Sequence, residues 1–471
     1  MSTMKNRILL TITLSIATLT AVALTPQEAV DSFALDTTLR HASVGVAFWD
    51  IDSARMVACH NPQLAIGTAS TMKTVTSTAA LELLGADYRF HTRVVARGEF
   101  KKNKFTGHLI VRGDGDPTLG SRYFPTHPDI VKQVVDALAA RGITRVEGQI
   151  LIDNGTYPPQ SFSEDWQVDD LMWYYGAGVH GVNFHDNVLH ADYSVRADGS
   201  TAITATPPVP GLVLENRIAP DTVRHVYTFM DFGRPGVIFT GTTPAGDYDG
   251  TFVNPMPGAM LADSIVRTMT AAGIKFKNKQ VKESKLAAGE LLLVDHESPA
   301  LTEIITSLLD RSDNMFTEGL LRALAREAGL RPTDWNGVKQ VHRALNGLGV
   351  DTDGLLMDDG SGLARNGKAT VAFFADMLSR MARRTYGDKR LCDLMPNAGK
   401  RIGKLLPETS LATDVVLKSG SMSGVQTFVG YYPAKEPRYV FAILVNEFSC
   451  SRSELRDNMD RLLINLFLPV K

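Results

Sequence analysis

The stretch STMKTVTSTAALELLG, residues 70–85, is a helical run that begins with a serine and a lysine one turn apart and ends at Gly85. A serine hydroxyl is a poor nucleophile unless a base lies beside it, and the amine of Lys73 is placed to be that base for Ser70. The alternative is that Ser70 caps the helix and Lys73 is a solvated surface charge. The tetrapeptide STMK also occurs at residues 2–5, so its surroundings must decide which copy has a function.

The first copy lies at the N-terminus of a segment typical of export signals. Lys5 and Arg7 precede a short, threonine-rich apolar stretch that ends at Ala21-Val22-Ala23. The apolar stretch is short for a transmembrane helix, although an uncleaved anchor is the alternative. We therefore predict a signal peptide over residues 1–23, cleaved near Ala23, and no stable membrane span in the mature protein.

Composition excludes several classes of function. The 471 residues are 44% hydrophobic, which is enough for two or three globular domains. The 49 Lys and Arg nearly cancel the 51 Asp and Glu, so no nucleic-acid partner is expected. The 11 His are scattered and no CxxC or HExxH occurs, so we predict no metal and no cofactor. Three cysteines, Cys59, Cys392 and Cys450, leave one disulfide or none open.

Two further motifs follow the helical run. LLDRSDNMFTEGLL places Ser312 and Asn314 in a short polar break between helical segments, and VVLKSGSMSG places Lys418, Ser419 and Gly420 at the end of an apolar strand. Each has an ordinary alternative, a helix N-cap for Ser-Asp-Asn and a strand-end turn for Lys-Ser-Gly. In the order SxxK, SDN, KSG they form the signature of penicillin-recognising serine acyltransferases, and the three together are far more specific than any one alone.

The chemistry of acylation explains these residue types. Ser70 is the predicted nucleophile, Lys73 the base that takes its proton, and Ser312 a second hydroxyl that passes a proton to the leaving amine. Lys418 is expected to bind the terminal carboxylate of the substrate and, by its charge, to lower the proton affinity of Lys73.

The same hypothesis assigns roles in substrate orientation. Asn314 is expected to orient an amide of the substrate. The backbone N–H groups of Ser70 and Ser421 are expected to form an oxyanion hole, in which each donor contributes about 3 kcal/mol.

The chain resembles the class C low-molecular-mass penicillin-binding proteins, the D-alanyl-D-alanine carboxypeptidase/endopeptidases of the bacterial periplasm. The resemblance covers nearly all of the mature chain and includes GDPTL (115–119), DW...DDLMWYYGAG (165–178), HESPALTEII (296–305), DGSGLARN (359–366) and VNEF (445–448). It implies a periplasmic enzyme that acts on peptidoglycan stem peptides and is inhibited by β-lactam antibiotics. The sequence leaves open whether carboxypeptidase or endopeptidase activity dominates, which diamino acid the stem peptide carries, and the oligomeric state.

The predicted fold is of the α/β (α+β) penicillin-binding-protein/β-lactamase-like class, with an antiparallel five-stranded sheet flanked by helices and two nested inserted domains. Strand patterns at both ends of the chain indicate that the sheet is assembled from both termini. The expected domains are a split peptidase domain (24–88 and 290–471), an inserted α+β domain II (89–187 and 255–289) and a nested β-rich domain III (188–254). The separation of 242 positions between Ser70 and Ser312 matches this family, and is too long for a compact β-lactamase.

The resemblance also implies further site residues. Asp170 is similar to the acidic residue that faces the free amine of the substrate in family members, with Trp166 and Tyr175 as an apolar wall, although both aromatics could be core residues. Ser419 and Gly420 are expected beside the substrate. Asp359 and Ser361 lie on a loop that the family keeps near the active site, and Asp-Gly-Ser-Gly is also a good turn.

The sequence departs from the family at two places. The third motif is Lys-Ser-Gly where the family usually has Lys-Thr-Gly; this keeps the hydroxyl at Ser419, so activity is expected to survive. Lys404 and Leu405 stand where relatives tend to have a Gly-Thr-Leu-like turn, which predicts a reshaped rim of the site.

Two rival functions were weighed against a D,D-peptidase. A β-lactamase has the same acylation motifs, but no Glu-x-x-Leu-Asn follows Asn314 within the ~60 residues where a deacylating glutamate is expected, and this function leaves the inserted domains unexplained. A catalytically silent wall-binding scaffold would not need the complete set of Ser70, Lys73, Ser312, Asn314 and Lys418.

Overall fold

A computed structural model describes residues 24–231, 233–282, 286, 289–400 and 406–468 of the chain. The predicted signal peptide, and Lys404 and Leu405, lie outside these residues. Within the described part, no helix has the length and apolar character needed to cross a membrane. Cys59, Cys392 and Cys450 form no disulfide among themselves.

The helices of the described residues are α1 (Pro26–Ala34), α2 (Met72–Leu84), α3 (Ile130–Ala139), α4 (Pro257–Ala271), α5 (Leu301–Arg311), α6 (Asn314–Glu327), α7 (Asp334–Gly347), α8 (Val371–Met381), α9 (Leu411–Asp414) and α10 (Arg452–Phe467). The strands are β1 (Ser43–Asp50), β2 (Arg55–His60), β3 (Ile66–Gly67), β4 (His91–Lys101), β5 (Lys104–Gly113), β6 (Arg145–Gly148), β7 (Ile150–Asp153), β8 (Val188–Val195), β9 (Thr201–Thr206), β10 (Val213–Pro220), β11 (His225–Asp231), β12 (Gly236–Thr243), β13 (Gly246–Val253), β14 (Lys275–Asn278), β15 (Leu291–Glu297), β16 (Leu355–Leu356), β17 (Lys368–Ala369), β18 (Thr385–Tyr386), β19 (Lys389–Arg390), β20 (Val416–Met422), β21 (Val425–Tyr432) and β22 (Tyr439–Asn446).

A five-stranded antiparallel sheet joins the two ends of the chain in the order β2-β1-β22-β21-β20. Its strands β21 and β22 are almost completely buried because helices cover both faces of the sheet. Helix α8 packs against β1 and β22, while α1 packs against β2 and α10. The predicted sheet built from both termini is confirmed.

A second sheet has the order β14-β6-β5-β4-β15, and β7 also pairs with β5. It contains the strands of two segments that share the order helix, Gly-Ile and strand: PDIVKQVVDALAARGITRVEGQILID (128–153) and GAMLADSIVRTMTAAGIKFKNKQV (258–281). In each copy the helix is followed by a glycine with a left-handed backbone, Gly142 (φ 69°) after α3 and Gly273 (φ 80°) after α4. Strands β6 and β14 then pair in parallel, and α3 packs against α4. The two copies are therefore neighbours in space.

The segment between these copies forms two three-stranded sheets, β13-β8-β9 and β10-β12-β11. The division into three domains stays a prediction, but one boundary needs a correction. The predicted boundary at residue 290 assigns β15 to the split peptidase domain, whereas β15 pairs antiparallel with β4 of the second sheet. Its main-chain hydrogen bonds place this strand with the inserted α+β unit.

Candidate active site

Ser70 lies on a single 3₁₀ turn, Ala69–Thr71, that leads directly into α2. The residue before it, Ala69, has a left-handed backbone (φ 43°), which is uncommon outside glycine and concentrates at functional sites. The alternative role as a helix cap is not supported, because no side-chain cap bond forms at the start of this turn or of α2.

Lys73 is fully buried, so it is not a solvated surface charge. Its Nζ donates hydrogen bonds to Ser70 Oγ at 2.9 Å, to Asn314 Oδ1 at 2.5 Å and to the carbonyl oxygen of Ser361 at 2.9 Å. Burial lowers the pKa of Lys73 to about 8, and the negative charges of nearby carboxylates oppose this shift. Desolvation, and not the charge of Lys418 as predicted from the sequence, is therefore the main cause of the lowered pKa of Lys73.

The Ser-Asp-Asn motif is the junction between α5 and α6. Ser312 ends α5 with a left-handed backbone (φ 61°, ψ 42°), and the Asp313 side chain caps α6 by accepting from the N–H of Phe316. Asn314 is the first residue of α6; its Oδ1 faces Lys73 and its Nδ2 donates to the Tyr175 carbonyl oxygen at 2.8 Å. The Ser-Asp-Asn motif therefore does both things that the sequence allowed: Asp313 caps a helix, and its two neighbours contact the lysines of the site.

The Lys-Ser-Gly motif lies on β20 at the edge of the five-stranded sheet. The Nζ of Lys418 is buried and donates to Ser312 Oγ at 3.0 Å and to the Ser419 carbonyl oxygen at 2.6 Å. A Cβ atom on Gly420 would lie 2.8 Å from the backbone nitrogen of Ser70 and 2.7 Å from the Thr68 carbonyl oxygen. A glycine is needed here because β20 passes this close to the serine turn.

These motifs meet in one open cavity of about 610 Å³. Ser70, Ser312, Asn314, Ser419 and Ser421 line it, and so do Asp170 and Tyr175. The hydroxyl of Tyr175 donates to Asp170 Oδ1 at 3.1 Å. The other carboxylate oxygen of Asp170 is buried and finds no hydrogen-bond partner among the described residues. The structure thus brings together the residues predicted from all three motifs, and it places Asp170 and Tyr175, but not Trp166, at the same cavity.

Trp166 is a correction to the predicted cavity wall. It does not line the cavity but packs beneath it against Leu171 and Ala364. Its indole Nε1 donates to Asp359 Oδ2 at 2.8 Å. The Trp166 side chain is thus buried and supports the 359–364 loop. This agrees with the alternative given above, that Trp166 is a core aromatic.

The 359–364 loop is held by two buried carboxylates. Asp359 accepts the N–H groups of Gly362, Leu363 and Ala364 at 2.8–2.9 Å. Glu318, on α6, accepts the N–H of Gly360 at 2.9 Å and that of Ser361 at 2.8 Å. Burial raises the pKa of Glu318, and the charge of Asp359 adds to this effect.

Sequence reasoning missed several charged residues of the site. Glu318 lies four residues after Asn314, between the apolar residues of NMF and GLL, and an acidic residue in such surroundings could have marked it. Three arginines also line the cavity: Arg311, Arg365 and Arg456. Arg311 and Arg365 lie within or next to quoted motifs, whereas no signal in the sequence connects Arg456 on α10 with them. In the described part of the chain, no cluster of three or more His, Cys, Asp or Glu residues could hold a metal ion.

A five-stranded antiparallel sheet flanked by helices, with Ser70 on the turn that leads into α2, Lys73 in the first turn of α2 and Lys418 on the edge strand β20, places the chain in the penicillin-binding-protein and β-lactamase-like fold class. The model of the D-Ala-D-Ala carboxypeptidase 3 (S13) family matches residues 26–466, and the chain belongs to this family.

Individual relatives agree with this assignment. A D-alanyl-D-alanine carboxypeptidase of Actinomadura sp. (strain R39) is 27% identical over 443 residues, which cover 90% of this chain and 81% of the relative. The crystal structure of penicillin binding protein 4 (dacB) from Haemophilus influenzae matches with a TM-score of 0.80 at 22% identity and covers 94% of this chain and 99% of that one. The same Haemophilus protein complexed with a novel β-lactam matches with a TM-score of 0.74 at 22% identity, over 94% of this chain and 99% of that one.

Proposed function

We propose that the chain is an exported serine D,D-peptidase that cleaves the terminal D-Ala-D-Ala bond of peptidoglycan stem peptides, the D-Ala-diamino acid cross-link, or both, through an acyl-enzyme on Ser70. The observation that carries the proposal is the buried Lys73, whose Nζ lies 2.9 Å from Ser70 Oγ. A lysine with its pKa lowered to about 8 has a substantial neutral fraction near neutral pH, so it can take the proton of the attacking hydroxyl.

Acylation then proceeds by ordinary acyl transfer. The Ser70 oxygen attacks the carbonyl carbon of the penultimate D-Ala while its proton moves to Lys73. The N–H groups of Ser70 and Ser421 stabilise the oxyanion. The close approach of β20 to the serine turn supports this assignment, because it brings the backbones of the two residues near each other. The C–N bond breaks, and the leaving amine receives, through the hydroxyl of Ser312, the proton that Lys73 took from Ser70; Ser312 Oγ also lies 3.0 Å from Lys418 Nζ. Water finally hydrolyses the ester and regenerates Ser70.

Substrate contacts follow from the lining of the cavity. Ser419 lines the cavity, and we assign the terminal carboxylate of the substrate to this residue together with its neighbours Lys418 and Gly420 on β20. Asp170 has a buried carboxylate oxygen without a partner among the described residues, and this oxygen can accept from the free amine of a diamino-acid stem peptide. Asn314 has both of its amide groups engaged, by Lys73 and by Tyr175, so its support for the substrate is indirect in this structure.

Localisation and inhibition belong to the same proposal. The predicted signal peptide would deliver the enzyme to the periplasm, where its peptidoglycan substrate lies. The H. influenzae relative binds a β-lactam, and a β-lactam ring presents Ser70 with the same acyl-transfer chemistry.

The proposal is tested by intact-mass measurements on the mature protein after mixing with benzylpenicillin, beside a Ser70→Ala variant. We expect a persistent adduct of one penicillin on the wild type and none on the variant, together with Ser70-dependent release of D-Ala from a stem pentapeptide. A cross-linked dimeric muropeptide in the same assay measures the endopeptidase activity. Rapid Ser70-dependent hydrolysis of penicillin would instead favour a β-lactamase, and unchanged penicillin and peptides would favour a silent scaffold.

A further inference from the structure

We propose that Glu318 is a positioning residue for the acylation step, because it holds the backbone of the 359–364 loop so that the Ser361 carbonyl oxygen accepts from Lys73. This inference rests on the proposed function, since it assigns to Glu318 an effect on the base of that reaction. Glu318 itself touches neither Ser70 nor Lys73 through a hydrogen bond in the described structure.

The position of Glu318 on α6 connects the 359–364 loop with the residue of α6 that contacts Lys73. It lies one helical turn after Asn314, which contacts Lys73 through Oδ1, so both residues project from the same side of the helix. The carboxylate then spans two consecutive peptide groups, with Oε2 accepting from Gly360 N–H and Oε1 from Ser361 N–H. Glu318 on α6 thereby fixes the two peptide groups that lead into Ser361, while Asp359 Oδ1 accepts from Gly362 N–H at 2.8 Å and holds the peptide group that carries the Ser361 carbonyl oxygen.

Lys73 contacts both α6 and the loop that Glu318 holds. One of its hydrogen bonds runs to Asn314 and another, at 2.9 Å, to the carbonyl oxygen of Ser361. Ser70 Oγ is the third partner of Lys73 Nζ. The three hydrogen bonds of the ammonium group therefore go to three separate segments: the serine turn, α6 and the 359–364 loop. If the Ser361 carbonyl rotated away, Lys73 would lose one of the groups that orient it toward Ser70, and misplacement of a catalytic group by about 1 Å can cost 100-fold in rate.

Burial explains why the residue is a carboxylate. Glu318 is 3% exposed, and a buried charged side chain is costly unless it satisfies buried donors. No neutral side chain of similar shape can accept two N–H groups with two oxygens. A glutamine would present an N–H₂ group to one of these two donors. The two hydrogen bonds to the loop therefore offset the free-energy cost of burying Glu318.

The experiment measures the acylation rate constant and the non-covalent dissociation constant for benzylpenicillin separately, on stopped-flow time courses of the mature enzyme. Glu318→Gln keeps the shape and loses one acceptor, and Glu318→Asp keeps the charge but is one methylene too short to span both N–H groups. We expect the acylation rate constant to fall about tenfold or more in both variants, with the dissociation constant changed less than about threefold.

Asp334→Asn is the matched control. Asp334, the first residue of α7, accepts through Oδ1 from the buried Arg322 of α6 at 2.9 Å, so the substitution removes a charge that pairs with α6, and Asp334 takes no part in the hydrogen bonds between Glu318 and the loop. We expect this variant to lose thermal stability but to keep the wild-type acylation rate constant. A rate constant within twofold of wild type in the Glu318 variants that fold, or an equal loss in Asp334→Asn, would overturn the inference. Failure of the wild type to form a Ser70 adduct would instead overturn the proposed function.

Discussion

The indole Nε1 of Trp166 donates a 2.8 Å hydrogen bond to Asp359 Oδ2, although 193 residues separate the two in the chain. Asp359 is fully buried and also accepts three backbone N–H groups of its own loop. The bond therefore connects the segment that carries Asp170 and Tyr175 with the loop that contacts Lys73. Two parts of the cavity that come from distant sequence regions share one buried carboxylate.

Trp166→Phe is expected to destabilise the protein by about 1–3 kcal/mol, because it leaves a buried carboxylate oxygen one donor short while keeping most of the apolar packing. The free energy of unfolding in urea measures this loss. We also expect slower acylation of Ser70 by benzylpenicillin, since the 359–364 loop loses one of its supports.

Trp335→Phe provides the control for this prediction. Trp335 is 70% exposed on α7, so its replacement should change the free energy of unfolding by less than about 0.5 kcal/mol. Equal effects of the two substitutions would contradict a structural role of the Trp166–Asp359 bond.

The rate of acylation is expected to rise with pH and to level off above about pH 8. Only the neutral form of Lys73 can take the proton of Ser70, and burial lowers the pKa of this group to about 8. Well below that value the neutral fraction, and with it the rate, falls about tenfold for each pH unit. The measurement is the second-order rate constant for benzylpenicillin between pH 5.5 and 9.5.

Lys73→Arg is the informative companion variant. It keeps a positive charge at this position but cannot deprotonate in this range, so acylation should be lost across the whole pH profile. A wild-type profile that is flat from pH 6 to pH 9 would contradict the assignment of Lys73 as the base.

Features set by residues close together in the chain could be predicted from the sequence, whereas features set by distant residues could not. The apolar runs near both termini predicted the five-stranded sheet because a strand buried on both faces is marked in its own residues. Ser70 and Lys73, Ser312 and Asn314, and Lys418 were found because short motifs fix their spacing. The place of Trp166 and the pairing of β15 with β4 depend on partners far along the chain, and no local pattern contains them. The contact of Glu318 with the 359–364 loop is likewise a property of tertiary packing alone.

Gly420→Ala is expected to reduce acylation by about 100-fold or more, which corresponds to the loss of one oxyanion donor. Its Cβ would lie 2.8 Å from Ser70 N and 2.3 Å from Thr427 Oγ1, so either β20 or the serine turn must shift. Gly347→Ala is the control, since a Cβ at the end of α7 meets no atom within 4 Å. We expect no loss of penicillin adduct formation in the control, and a comparable loss in both variants would contradict the steric argument.

Ser419→Thr restores the Lys-Thr-Gly form of the third motif and is expected to change acylation by less than about threefold. Ser419 is half-buried on β20 and lines the cavity, and a β-branched threonine suits a strand while keeping the hydroxyl. Ser419→Val has the shape of the threonine variant without the hydroxyl, so it isolates the hydrogen bond that we propose between this hydroxyl and the substrate carboxylate. Because a hydrogen bond to a charged group contributes about 1.5–3 kcal/mol, we expect the valine variant to lose at least tenfold in kcat/KM for D-Ala release. Equal activity of the threonine and valine variants would show that the hydroxyl of Ser419 does not bind the substrate.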